Sequence, residues 1–198
     1  MKPLFAILGV IVLVVIIAIA GWISVYGTLN TKNQAVKASW GNVESTLQRR
    51  ADLIPNLVNT VKGYATHEEK VFDEVAEARS KMGSIKVGDA LNNPDAMKEL
   101  QAAQSQLSGA LSHLIAVSEN YPNLKADQGF LELQSQLEGT ENRINVARQK
   151  FNDEAQSYNT TANGFFARFV ANSYGFKPVE YFEAPPEAQK APVVDFSK

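Results

Sequence analysis

"VKASWGNVESTLQRRADLIPNLVNTVKGY", residues 36–64, decides the fold. Val36, Trp40, Val43, Leu47, Ile54, Leu57, Val61 and Tyr64 fall at alternating steps of four and three, and Arg50 fills the one remaining place. That is a heptad seam, the mark of a helix packed lengthwise on others. Two residues argue against a simple helix. Pro55 lacks the N–H that would bond the carbonyl of Ala51. Arg50 puts a charge on the buried stripe, where it needs a partner. The seam keeps its phase on both sides of the proline, so it reads as a kinked but continuous helix. The alternative is a fresh start capped by Asp52, with proline in its tolerant first turn.

The same period recurs downstream. Thr66 with Glu69 fits a capping box ahead of Val71, Phe72, Val75, Ala78 and Met82. "GSIKVGDALNNP" (83–94) reads as the main loop, with Asn93 as an N-cap and Pro94 at the first helical position. Met97, Leu100, Leu107, Leu111, Leu114 and Val117 mark the next helix, which stops before Pro122. Phe130, Leu133, Leu137, Thr140, Ile144, Ala147, Phe151, Ala155 and Tyr158 mark the last long one. Strand alternation is almost absent. The prediction is an all-α chain: an antiparallel bundle of four, or at most five, long helices crossing at about 20°.

Upstream, Leu4 to Tyr26 carries no charge. As a helix it spans about 35 Å, enough for a bilayer core. Trp22 and Tyr26 sit where amphipathic rings favour the interface. Ala18-Ile19-Ala20 resembles a cleavage site, but the apolar run is longer than a signal core and reads as an uncleaved anchor that contacts membrane lipid. The organisation is thus an anchor over 1–28, a bundle over 29–176 and an extended, Pro-rich tail over 177–198. Lys2 on one side and Lys32 and Lys37 on the other leave the orientation undetermined.

Composition narrows the chemistry. A net charge of -2 gives no reason to expect nucleic acid. With no cysteine, disulfides, thiolate catalysis and lipid attachment to cysteine are excluded. Neither His67 nor His113 sits in a Glu-x-x-His motif, and the His67-Glu68-Glu69 run reads as a solvated first turn rather than a metal site. No nucleophile motif or phosphate loop occurs. No catalytic, cofactor or metal residue is assigned.

The polar residues near the seams read as structural. Arg49 and Arg50, with Asp52 and Pro55 beside them, face a last helix carrying Glu138, Glu141, Arg143 and Arg148. An ion-pair network across the bundle is the expected use. Acid–base work by Glu138 or Glu141 is the rival. Phe165, Phe166, Phe169 and Val170 cluster on one helical face and read as a cap over the open end of the bundle. The alternative is contact with a membrane surface or a partner. Val193, Val194 and Phe196 follow a polyproline-like spacer, and read either as a docking motif or as the tip of a disordered tail.

Together these residues resemble the LemA family of bacterial membrane proteins. The resemblance covers nearly the whole chain: an apolar N-terminus, "ASW" (38–40), "LQRRADLIPNLV" (47–58), "VKGYATHE" (61–68), "EAR" (77–79), "ENYPNLKA" (119–126), the 130–148 block ending in "VAR", "FND" with "YN" (151–159), "GFKPVEYFEA" (175–184) and "VDF" (194–196). Phe165-Phe166 stands where the family commonly has Phe-Pro, and Tyr26-Gly27 where it has Tyr-Asn. The resemblance implies a single-pass membrane protein with a helical-bundle domain and no established enzymatic activity. It implies links to membrane remodelling in magnetosome-forming bacteria and, through gene neighbourhood, to a membrane zinc metalloprotease. The expected role is a non-enzymatic scaffold or adaptor, homo-oligomeric, in the bacterial cytoplasmic membrane, with a lean to an extracytoplasmic bundle. Membrane shaping through 163–176 is the alternative.

Overall fold

The computed structural model describes residues 2–183, with side chains from Ile7 onward. Val193, Val194 and Phe196 lie outside the described residues. No strand occurs among the residues described. The helices are α1 (Lys2–Lys62), α2 (Glu69–Ser84), α3 (Pro94–Ser118), α4 (Pro122–Lys125), α5 (Gln128–Ala162) and α6 (Ala167–Tyr174), with a 3-10 helix at Val87–Asn92.

The first finding is the length of α1. Its 61 residues run unbroken through Gly27 and Pro55, so the apolar run and the seam belong to one helix about 90 Å long. Every residue from Ile7 to Ser24 is exposed. Apolar on all faces and covered by no other described residue, this part of the helix is long and apolar enough to cross a membrane. Burial begins at Leu29 and then follows the seam. Asp52 does not cap a new helix, because it lies inside α1 and accepts a hydrogen bond from Gln48 Nε2 at 2.8 Å.

α1, α2, α3 and α5 alternate in direction to form a four-helix bundle, with α4 and α6 as short additions. α1 and α5 share a constant register. Tyr64 meets Asp127, Arg50 meets Glu141, Trp40 packs on Phe151, and Leu29 shares a small cluster with Ala162; each pair of residue numbers adds up to 191. Small residues let the two helices close up: Ser39, Thr140, Ala147 and Ala155 are all buried. The two hydroxyls bond carbonyls of their own helices, Val36 and Gln136, at 2.8 and 2.7 Å. α2 and α3 form the other hairpin, tied at its surface by His113 Nδ1 to Glu74 at 2.8 Å and by Lys81 Nζ donating to Gln106 at 3.1 Å.

The caps divide. Asn93 accepts from the N–H groups of Asp95 and Ala96 at 3.0 and 3.3 Å, with Pro94 following, as predicted. The expected capping box at Thr66 does not form: α2 starts two residues later than that motif requires, after Glu68, with no side-chain cap. Asp127 caps α5 instead, accepting from Phe130 N–H at 2.8 Å.

The C-terminal boundary also moves. The sequence assigns 177–198 to a tail, yet Val179 and Phe182 are buried in the main core. Two asparagines hold them there. Asn152 donates to the carbonyl of Phe182 and accepts from its N–H, both at 2.9 Å. Asn159 does the same for Val179, at 2.8 and 3.0 Å. Each amide acts as a piece of strand edge. The spacing fits: two turns of α5 cover about 10.5 Å, and three residues of extended chain cover about 10 Å. Phe182 then stacks on Trp40, with centroids 5.6 Å apart.

Candidate functional sites

Two features stand out from a packed bundle: a charged layer in the core and an aromatic patch at the membrane-side end.

The charged layer is built on Arg50, which is 7% exposed. Its seam position points it between α3 and α5. Nη2 donates to Ser108 Oγ on α3 at 2.9 Å, and Nη1 lies 2.8 Å from Glu141 Oε2 on α5. That oxygen is off the line a hydrogen bond needs, so the contact is mainly charge on charge. Two turns along α5, Arg148 lies over the ring of Phe182 at 5.1 Å and its Nε has no hydrogen-bond partner. Burial draws both guanidiniums below the ordinary arginine value; Glu141 opposes this for each, and Arg50 adds to it for Arg148. Two cations therefore share one carboxylate. Gln104 on α3, 3% exposed, finds no protein partner for either amide atom.

Of the predicted network, the structure brings together Arg50, Glu141 and Arg148. Arg49, Asp52 and Arg143 line one shallow recess on the outside of α1 and α5 instead. Glu138 is exposed and accepts from Gln134 Nε2 at 3.2 Å. The two carboxylates offered for acid–base work thus serve different surroundings, one at the surface and one against Arg50. Pro55 stays inside the helix, and the nearby guanidinium of Arg50 goes to Ser108 and Glu141. Ser108 and Gln104 escape the sequence reading, although one signal is present. The α3 stripe steps from Leu100 to Leu107, and the missing seam member is Gln104.

The aromatic patch corrects a prediction. Val170 is 2% exposed and packs with Ala167 and Ala171 on Leu29, whereas Phe165, Phe166 and Phe169 are 78%, 74% and 59% exposed. The four do not share a face because the helix begins only at Ala167, leaving Phe165 and Phe166 in the turn before it. Steps of three and four from Ala167 turn Val170 and Ala171 inward and Phe169 outward. The end of the bundle is covered by α6 through Val170, not by the phenylalanines. Phe165 packs edge to face with both of the others, 5.1 Å from Phe166 and 6.2 Å from Phe169. Gly175, at φ 70°, ends α6 in the left-handed conformation and lets Phe176 turn back toward Tyr26, 6.0 Å away. Tyr174 packs against Tyr26 with the rings tilted and their centroids 4.6 Å apart.

Comparison with known proteins gives consistent results. The family model described as LemA family matches residues 39–196. Magnetosome protein MamQ 2 of Paramagnetospirillum magneticum is 28% identical over 211 aligned positions, covering 97% of this chain and 76% of that protein. Magnetosome protein MamQ of Magnetospirillum gryphiswaldense matches at the same identity and coverage. Protein LemA of Metamycoplasma hominis is 24% identical, over 72% of this chain and 61% of its own length.

Proposed function

Because this chain belongs to the LemA family, we propose that it is a membrane-anchored, non-enzymatic scaffold or adaptor that works through protein contacts. The observation that carries the reading is the unbroken α1. One helix is both the membrane span and a full-length member of the bundle, so the domain stands on the bilayer as a post and not on a loose tether. A post of that kind presents fixed surfaces at a fixed height, which suits assembly with copies of itself or with another membrane protein. A membrane metalloprotease is the candidate that the resemblance supplies. The core charges support the same reading, since the buried arginines are engaged by Glu141, Ser108 and Phe182 within the fold. We place the protein in the bacterial cytoplasmic membrane; the charges flanking the span leave the side of the bundle open, and the family resemblance leans to the extracytoplasmic one.

Native mass spectrometry of the full chain released from membranes in mild detergent tests this. Dimers or larger assemblies, or a stoichiometric partner, are the expected result. A monomer alone, with no protein in fixed ratio, would count decisively against a scaffold.

A second reading is lipid organisation or membrane shaping through residues 163–176, in keeping with the magnetosome relatives. The exposure of Phe165, Phe166 and Phe169 favours it. Vesicles holding the full chain should then change in curvature or size with protein density, and unchanged vesicles would remove this reading.

A further inference from the structure

We propose that Phe165, Phe166 and Phe169 insert into the bilayer interface beside α1, so that the bundle is seated on lipid as well as anchored through it.

The argument is one of height. The register between α1 and α5 is fixed at four places along the bundle. That register ends with α5 at Ala162, level with Leu29, and Phe165 and Phe166 follow in the turn beyond it, on the side of Val25 and Tyr26. That is the last turn of the apolar run, where the bilayer surface must fall. α6 stays at this height, because its buried face rests on Leu29 and its Tyr174 on Tyr26. Phe169 projects from the other side of α6 and is exposed. The three rings therefore join Trp22 and Tyr26, also partly exposed, in one aromatic collar. Rings at that depth lose their contact with water to lipid without entering the hydrocarbon centre.

Charge points the same way. Among the described residues, no Asp or Glu occurs from Lys2 to Lys32 or from Asn159 to Val179, the stretches on the membrane side of the contact between Asn159 and Val179. On the bundle side of the span those stretches carry Lys32, Arg168 and Lys177. A collar with cations and no acids suits phosphate headgroups and not a random protein surface. The occupant is thus a lipid surface. The inference rests on the membrane span and not on any shaping activity, so vesicles that keep their shape leave it standing.

The absence of cysteine makes the test direct. Phe169→Cys in the full chain is labelled with an environment-sensitive fluorophore and reconstituted in vesicles of phosphatidylcholine and phosphatidylglycerol. Phe165→Cys is the second probe, Ile11→Cys the anchor control and Asn120→Cys the water control. The expected result at 169 and 165 is a blue shift, loss of fluorescence with lipid spin-labelled near the headgroup, and protection from aqueous iodide. Iodide quenching at 169 and 165 equal to that at 120, with 11 still quenched by lipid, overturns the insertion alone. Failure of lipid to quench 11 overturns the span and the insertion together. Protection at 169 from both quenchers, relieved by diluting protein in lipid, also overturns it and assigns the patch to a second copy.

Discussion

Asn152 and Phe182 exchange two hydrogen bonds, each 2.9 Å long, across thirty residues of chain. With the same exchange between Asn159 and Val179, this clamp keeps the last described segment on the bundle. Asn152→Ala removes a donor and an acceptor at once and strands the main-chain groups they served. The loss should be about 1–3 kcal/mol. Faster amide exchange at Val179 and Phe182 would report the release. So would a red shift of Trp40 emission, measured with Trp22→Phe to remove the other indole, because Phe182 stacks on Trp40.

The contrast between that clamp and α1 explains what can be read from sequence. Trp40, Arg50 and Ile54 announce their burial through spacing alone, since a helix of period 3.6 repeats its inward face whatever it packs on. The blocks "FND...YN" and "KPVEYF" are the two halves of the clamp, but no period links a helical asparagine to an extended segment twenty or thirty residues later. The split between Val170 and Phe169 was hidden for a different reason. Which residues share a face depends on where the helix begins, and helix starts are the least legible part of a sequence. Arg50 was legible as a buried charge needing a partner. Glu141 was distinguished from Glu138 only by the register.

Arg50 and Glu141 should be strongly coupled. Arg50→Met leaves a half-exposed carboxylate that water can reach. Glu141→Leu leaves Arg50 and Arg148 facing one another without an acid, and should be the more damaging. Breaking a buried pair from one side typically costs about 3–5 kcal/mol. Arg50→Met should fall at the low end, because the Glu141 side chain is 40% exposed. The double variant should be more stable than the two losses added together, by about 1–3 kcal/mol. Denaturant unfolding of the four proteins measures this directly, and strict additivity would show that the pair contributes nothing.

Gln104 points to a stabilising substitution. Its amide is buried without a protein partner on either atom, in the stripe between Leu100 and Leu107. Leucine is close in volume and has nothing to satisfy. Gln104→Leu should raise stability by about 1 kcal/mol, since an unmet buried polar group carries a desolvation penalty of roughly that size. A fall in the unfolding midpoint would mean that the amide holds the charged layer in place.

Asp127 makes the far end of the bundle sensitive to acid. The N–H of Phe130, and then the hydroxyl of Tyr64, hold its carboxyl below the ordinary aspartate value. A carboxyl depressed in the folded state stabilises the fold above its unfolded value, and that contribution disappears as pH falls through the folded one. The window lies on the acid side of about pH 4. Asp127→Asn keeps a capping oxygen but cannot titrate. Its melting temperature should therefore fall less steeply in acid than that of the parent, while the gap between the two proteins stays constant at neutral pH.

Pro55 sits in the interior of α1, between Ile54 in the core and Leu57 one turn on, and the helix does not break there. Its ring denies the carbonyl of Ala51 a donor, a defect that an exposed helix would feel as about 3 kcal/mol. Packing of the seam on both sides keeps the segment helical despite that defect. Pro55→Ala restores the bond and permits a straighter helix, so it should raise the unfolding midpoint, by about 1–3 kcal/mol after the loss of the ring's contacts. The alternative outcome is equally definite. If the variant melts at or below the parent, the bundle is built around the bend that proline imposes, and α3 and α5 repack poorly against a straight α1. Amide exchange around Ala51 separates the two cases: strong protection with higher stability marks a repaired defect, and strong protection with lower stability marks a required bend.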